Sequence, residues 1–256
     1  MTEISLLTII SGLLTISVRL SGLMLFAPFF GSSVIPSRVK AGLVLILTLL
    51  LFPTVGKGLG PFALADWTIL IFREFIIGVG MGIATNLIFD ATQLAGQIIG
   101  VQMGYSLVNL LDPQTQVDTT VVAVFYQSIV MLLFLQMNVH YWILRAVGDS
   151  FLYLPPATAH LSGLFTLAVL KTGGMVFGLG VRIAAPVLGA TLVADVLLGL
   201  LGKASAQLPL MLLGPAIKSL LGILILIATL KYWPDLFHEL FQNTLENGVH
   251  ILHLAR

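Results

Sequence analysis

Two apolar blocks, 68–104 and 164–201, are each longer than one straight membrane crossing requires, and this surplus constrains the fold more than any other feature. A helix rises about 1.5 Å per residue, so about twenty residues already reach across a hydrocarbon layer of about 30 Å. Both blocks are dense in glycine, with Gly78, Gly80 and Gly82 in the first and Gly173, Gly174, Gly178 and Gly180 in the second. Pro186 also removes a helical hydrogen bond from the second. Both are expected to bend, tilt or divide into hairpins. Four shorter apolar blocks run over 4–30, 39–55, 119–146 and 210–232, with Pro, Gly and charged residues between most of them. The expected fold is all-α, a polytopic membrane protein of about six hydrophobic blocks forming bent helical hairpins.

Charge and composition agree. Charged residues make up 9% of the chain, against about 25% in soluble domains, and the mean hydropathy is +1.06. A net charge of +1 without a Lys/Arg run gives nothing to track a phosphate backbone, so no nucleic acid partner is expected. The absence of cysteine excludes disulfides and thiolate metal sites. The first apolar run, Ile4 to Phe30, exceeds the core of a cleavable signal and reads as a retained helix. A connector over 148–163, containing Pro155 and Pro156, separates an N-terminal part, 1–147, from a C-terminal part, 164–256. Asp235–Arg256 alternates apolar and polar residues, as an amphipathic helix at a membrane interface would. Basic residues at Arg38, Lys40, Lys57, Arg145, Lys171, Lys203 and Lys231 give no clean alternation between sides. That scatter is expected where some apolar helices pack on protein.

The segment from Gly96 to Pro113 differs from the apolar walls around it. Gly96, Gly100 and Gly104 share a helix face and let a neighbouring backbone approach, while Gln93, Gln97 and Gln102 can hydrogen-bond across helices. Asp112-Pro113 is expected to end the helical segment and aim a loop. An ordinary helix pair with an exposed turn would use the same small-residue spacing. Elsewhere Arg19, Glu74, Asp90, Arg182, Asp195, Lys203 and Lys218 lie in or beside apolar blocks. An exposed charge at bilayer depth costs about 2.5–3.5 kcal/mol, so these should face protein, water or headgroups. They read either as a polar seam or as static interhelical pairs and snorkelling side chains. Arg182 and Asp195 are too far apart to meet along one straight helix.

Catalytic signatures are missing: the chain has no HExxH, GxSxG, Walker loop or GxGxxG fingerprint. His250 and His253 share a spacing but lack a carboxylate constellation, so no metal site is assigned. No catalytic residue and no cofactor is expected.

The run from Ala95 through Asp112-Pro113 to Thr119, followed by Phe125-Tyr-Gln127 and Leu135-Gln-Met-Asn-Val-His140, closely resembles the FliR family of flagellar export-gate proteins and its type III secretion counterparts. Arg19, Pro28, Pro36-Ser-Arg38, Glu74, Tyr153-Leu-Pro155, Ala185-Pro186 and Asp195-Val-Leu-Leu-Gly199 extend the likeness along the chain. One stretch departs: Lys203-Ala-Ser-Ala-Gln-Leu-Pro209 stands where the family has an Arg-Ala-x-Pro-Gln-x-Asn-like turn. The resemblance implies a non-enzymatic, pore-forming subunit of the flagellar type III export gate, in the bacterial inner membrane at the basal body. It implies FliP-like and FliQ-like gate subunits as partners, with FlhB-like and FlhA-like export components, unfolded flagellar substrates and membrane lipid. It further implies that 1–147 is FliP-like and 164–256 FliQ-like.

On this reading Tyr105, Ser106, Leu107, Val108, Asn109, Leu110, Leu111, Asp112 and Pro113 form a gate loop or plug that closes the lumen between substrates. Gly96, Gly100, Gly104, Gln97 and Gln102 pack its supporting helix, and Arg19, Glu74, Asp90, Arg182, Asp195 and Lys203 form the polar seam. Leu107, Val108, Leu110 and Leu111 would make a dry constriction. Two other readings use the same residues: a proton- or ion-coupled secondary transporter, and a purely structural gate-assembly subunit.

Overall fold

A computed structural model describes residues 6–32, 35–55, 67–105, 119–155, 163–204 and 210–253. These residues form helices and no strand, as the all-α expectation requires. In chain order they are α1 (Leu6–Phe26), α2 (Ser37–Val55), α3 (Trp67–Gln102), α4 (Val121–Gln136), α5 (Val139–Tyr153), α6 (Gly163–Ala204), α7 (Leu210–Leu230) and α8 (Trp233–His253). Among the described residues, α1, α2, α3, α6 and α7 supply five stretches long and apolar enough to cross a membrane. The pair α4 and α5 makes a sixth if taken as one broken span.

Neither long block divides into a hairpin. α3 is one helix of 36 residues and α6 one of 42, about 54 and 63 Å respectively. Pro186 lies inside α6 without ending it, as apolar helices tolerate when the freed backbone groups are met locally. The break falls instead in the 119–146 block. Met137 caps α4, and Asn138 takes φ 56° and ψ 29°, a left-handed conformation that asparagine adopts more readily than most residues. The expected connector is helical up to Tyr153, and 156–162 lie outside the described residues.

The chain falls into two compact units. Unit 1 takes Met1–Leu87, Asn138–Gly174 and Phe241–Arg256, and unit 2 takes Ile88–Met137 and Met175–Leu240.

In unit 1, α2 packs on α1 and also meets α5. α1 and the first half of α3 approach at glycines. A Cβ on Gly22 would strike the Phe75 carbonyl, and one on Gly78 the Arg19 carbonyl. One on Gly82 would stand 2.8 Å from Phe26 Cβ. From Arg19 beside Gly78 to Phe26 beside Gly82 the contacts ascend in both helices, so the two run parallel. Ile16, Leu20, Leu23, Ile77, Ile143 and Val147 fill the space between helices and are essentially unexposed. Hydroxyls in these apolar helices turn back on their own backbone, as Thr15 does on Ser11 (2.6 Å) and Thr48 on Val44 (2.7 Å).

In unit 2 the core is Ala91, Ala95 and Ile99 of α3, Tyr126, Val130 and Phe134 of α4, Ala184 and Val187 of α6, and Phe237 of α8. Phe89 meets Phe134 edge-on at 5.5 Å, and Tyr126 meets Trp233 at 4.7 Å between ring centroids. The apolar stripe of α8 that was expected to face a membrane surface is covered by protein along Trp233, Phe237 and Leu240, each at most 5% exposed. Trp233 packs on Tyr126 of α4 and on Phe237 one turn along α8.

Candidate functional site

The site is the stem that holds the two flanks of segment 106–118. On one flank, α3 enters unit 2 with small residues facing α4. Gln93 receives a hydrogen bond from Gln127 (3.1 Å). A Cβ on Gly96 would overlap the Ala123 backbone, and one on Gly100 would fall 2.5 Å from the Thr120 hydroxyl oxygen. The α4 partners descend as the α3 positions ascend, so the two helices run antiparallel with backbones close. Thr120, at φ −72° and ψ 149°, caps α4. Its hydroxyl donates to the Gly96 carbonyl (3.0 Å) and accepts from the Ala123 amide (3.2 Å). One side chain therefore starts α4 and ties it to α3.

α3 ends in a Schellman motif. Gly104 has φ +90°, the Tyr105 amide donates to the Gly100 carbonyl (2.9 Å), and the Gly104 amide donates to Val101 (3.0 Å). Helix termination thus falls at Gly104, ahead of the expected Asp112-Pro113 stop. The cause is the left-handed backbone that glycine accepts without a Cβ clash. The turn seats on α7: a Cβ on Gly104 would stand 3.0 Å from Pro215, and the Met103 sulfur lies over Gly222. The Tyr105 hydroxyl pairs with the Ser219 hydroxyl at 2.7 Å.

A charged cluster reinforces this seat. Asp195 of α6 accepts from Gln102 through Oδ2 (2.7 Å) and faces Lys218 Nζ through Oδ1 (3.0 Å). The Asp195 side chain is 40% exposed and that of Lys218 19%. Adjacent residues Lys218 and Ser219 of α7 thereby hold Asp195 and Tyr105. Of the expected plug, only Tyr105 is described; Ser106, Leu107, Val108, Asn109, Leu110, Leu111, Asp112 and Pro113 lie outside the described residues. Gln97 is half-buried and makes no hydrogen bond among the described residues.

The six seam residues divide between the two units, Arg19 and Glu74 in unit 1 and Asp90, Arg182, Asp195 and Lys203 in unit 2. In unit 1, Arg19 and Glu74 form a fully buried pair at 2.7 Å, both side chains 0% exposed. The guanidinium also donates to the Ser150 hydroxyl (3.1 Å) and the Leu154 carbonyl (3.1 Å). Phe151 covers it at 4.0 Å from the ring centroid. In unit 2, Asp195 has the partners named above, while Asp90 and Arg182 are exposed on α3 and α6. Lys203 is exposed in the last turn of α6, where a cation suits the negative end of the helix dipole. Residues 205–209, where the expected turn departs from the FliR pattern, lie outside the described residues.

The amino-acid pattern did not single out Thr120, Ser150, Pro215 or Ser219. Two glycines four apart announce a close neighbour without naming it, and an isolated hydroxyl in an apolar helix ordinarily bonds to its own backbone.

The chain matches the family described as bacterial export proteins, family 1, over residues 10–244. It is 31% identical over 229 residues to flagellar biosynthetic protein FliR of Pectobacterium carotovorum subsp. carotovorum, covering 90% of this chain and 88% of that protein. Against flagellar biosynthetic protein FliR of Escherichia coli (strain K12) it is 31% identical over 232 residues, 88% of this chain and 87% of the other. Surface presentation of antigens protein SpaR of Shigella flexneri is 26% identical over 211 residues, 81% of this chain and 80% of the other. The matched region includes both flanks of segment 106–118 and the buried Arg19 and Glu74.

Proposed function

The chain belongs to the bacterial export proteins, family 1, and from that premise we propose that it is a pore-forming component of the flagellar type III export gate in the bacterial inner membrane. It works there as a conduit part and not as an enzyme. FliP-like and FliQ-like subunits surround it, FlhB-like and FlhA-like components act beside it, and unfolded flagellar proteins pass through. Its sequence parts 1–147 and 164–256 correspond to FliP-like and FliQ-like portions.

The supporting observation is the stem. Segment 106–118 leaves from Tyr105 and returns at Thr119 between flanks pinned by Gly100 against Thr120, Gly104 against Pro215, and Tyr105 on Ser219. A loop needs fixed roots if its tip is to block a channel and return after displacement. Residues Tyr105 to Pro113 are the plug on this reading, with Leu107, Val108, Leu110 and Leu111 forming a constriction that excludes water when closed. The buried Arg19–Glu74 pair weakens the transporter alternative, because its guanidinium is enclosed and hydrogen-bonded on several sides.

The test is small-solute leak through the assembled complex in membranes. Serine at Leu107, Val108, Leu110 or Leu111 should raise the leak while the complex assembles at its usual yield. An assembled complex that stays tight with all four replaced removes the plug role and leaves the structural-subunit reading.

A further inference from the structure

α6 shows two opposite faces in unit 2. At about 100° per residue, Gly180, Ala184, Val187, Thr191 and Ala194 fall on one side. That side is buried: Ala184 and Thr191 are 0% exposed, and a Cβ on Gly180 would meet Leu94 of α3 at 2.9 Å. Asp195 leaves the same side to reach Gln102 and Lys218. On the other side Gly178, Arg182, Gly189, Val193 and Val196 lie within an arc of about 60°. Val193 and Val196 are 60% and 64% exposed, and nothing stands within 4 Å of where a Cβ would sit on Gly178 or Gly189.

Arg182 makes this face more than an apolar surface. Lys171, Arg182, Asp195 and Lys203 recur so closely along α6 that no charge-free run is long enough for the about twenty residues of a crossing. Asp195 meets Lys218 within the chain, whereas exposed Arg182 has no hydrogen bond or ion pair among the described residues. A guanidinium carried on an apolar helix takes a counter-charge from a neighbour or reaches for headgroups. Gly178 and Gly189 favour the neighbour, since bare backbone on either side of the arginine lets a second helix approach closely, whereas disordered acyl chains gain little from such a groove.

We propose that the Arg182 face of α6 docks a membrane helix of a neighbouring subunit in the export assembly, and that this helix presents a carboxylate to the guanidinium. The inference rests on the export-gate reading and adds the chemistry of one contact. Two parallel N–H···O bonds from arginine to a carboxylate would fix the register, and the open glycines would set the distance.

The chain is co-expressed with FliP-like and FliQ-like subunits from the same source, and the yield of mixed complex per inserted chain is measured. Gly189→Leu and Arg182→Glu should each lower that yield by about tenfold or more, with membrane level and protease resistance of the chain unchanged. An Asp→Lys or Glu→Lys change in one partner helix should restore the Arg182→Glu complex. A benzophenone side chain at Val193, in an otherwise unaltered chain, should attach to that same partner helix. Normal yield from both variants, or a Val193 probe that attaches only to lipid, overturns the docking proposal while leaving the export-gate reading in place. An unaltered chain that excludes both partners overturns the export-gate reading and the docking proposal with it.

Discussion

Arg19 carries a full charge with no exposed surface, and its environment answers nearly every donor it has. Nε and Nη2 reach Glu74, Nη2 also reaches the Leu154 carbonyl, Nη1 reaches Ser150, and the Phe151 ring closes one face. Such a pair resists the loss of one partner far more than the loss of both, because a lone buried charge keeps the desolvation penalty without the attraction. Glu74→Ala should therefore destabilise the detergent-solubilised chain by about 3–5 kcal/mol, whereas Arg19→Met combined with Glu74→Leu should recover most of it. Thermal unfolding of the three variants measures this; a double variant as weak as Glu74→Ala would show that shape at this site outweighs charge. Glycine acts beside the same pair by a different route. Gly78 sits where any Cβ would strike the Arg19 carbonyl, so helix approach and charge burial are set one turn apart on α3.

At the level of elements, α3 serves two purposes along its length: its first half packs α1 and its last turns pack on α4 and α7. The Schellman end at Gly104 and the Tyr105–Ser219 bond predict local behaviour separable from global stability. Tyr105→Phe and Ser219→Ala should each speed amide exchange at Gly104 and Tyr105 by about fivefold, the weight of one net hydrogen bond. The double variant should do no more than either single one. Additive effects would mean that the two hydroxyls serve different partners. The helices themselves were largely legible from hydrophobic runs, since five of the six apolar blocks became single helices with ends close to those expected, whereas the 119–146 block became two, the second running on to Tyr153. The break at Asn138 was not legible, because apolar residues continue on both sides and one asparagine changes the composition little. Nor was the end at Gly104: its positive φ is a backbone property, and the Asp-Pro pair downstream offered a stronger stop signal. In the stem, glycine spacing showed that α3 would be approached closely, but Thr120, Pro215 and Ser219 come from distant sequence and became visible only through packing.

For the molecule as a whole, length is decisive. α6 at about 63 Å exceeds a hydrocarbon layer of about 30 Å by a wide margin, and many of its outward side chains remain apolar, including Leu167 (64%), Leu170 (68%), Phe177 (68%) and Leu200 (59%). The chain has no cysteine, so single introduced thiols can report which of these positions a membrane-impermeant reagent reaches. In the isolated chain, the outward positions within a stretch of about twenty consecutive residues should resist labelling while those toward the remaining end or ends react. Assembly with partner subunits should extend the protected stretch. Uniform protection of all outward positions in the isolated chain would contradict a transverse α6. The Arg19 pair also imposes an order on biosynthesis. Arg19 precedes Ser150 by 131 residues and Leu154 by 135. At about 5–20 residues per second, a ribosome takes roughly 7–26 s to supply them. Glu74, 55 residues downstream, can meet the guanidinium early, but the hydroxyl of Ser150 and the carbonyl of Leu154 are still missing during that interval, so full enclosure of Arg19 waits for α5.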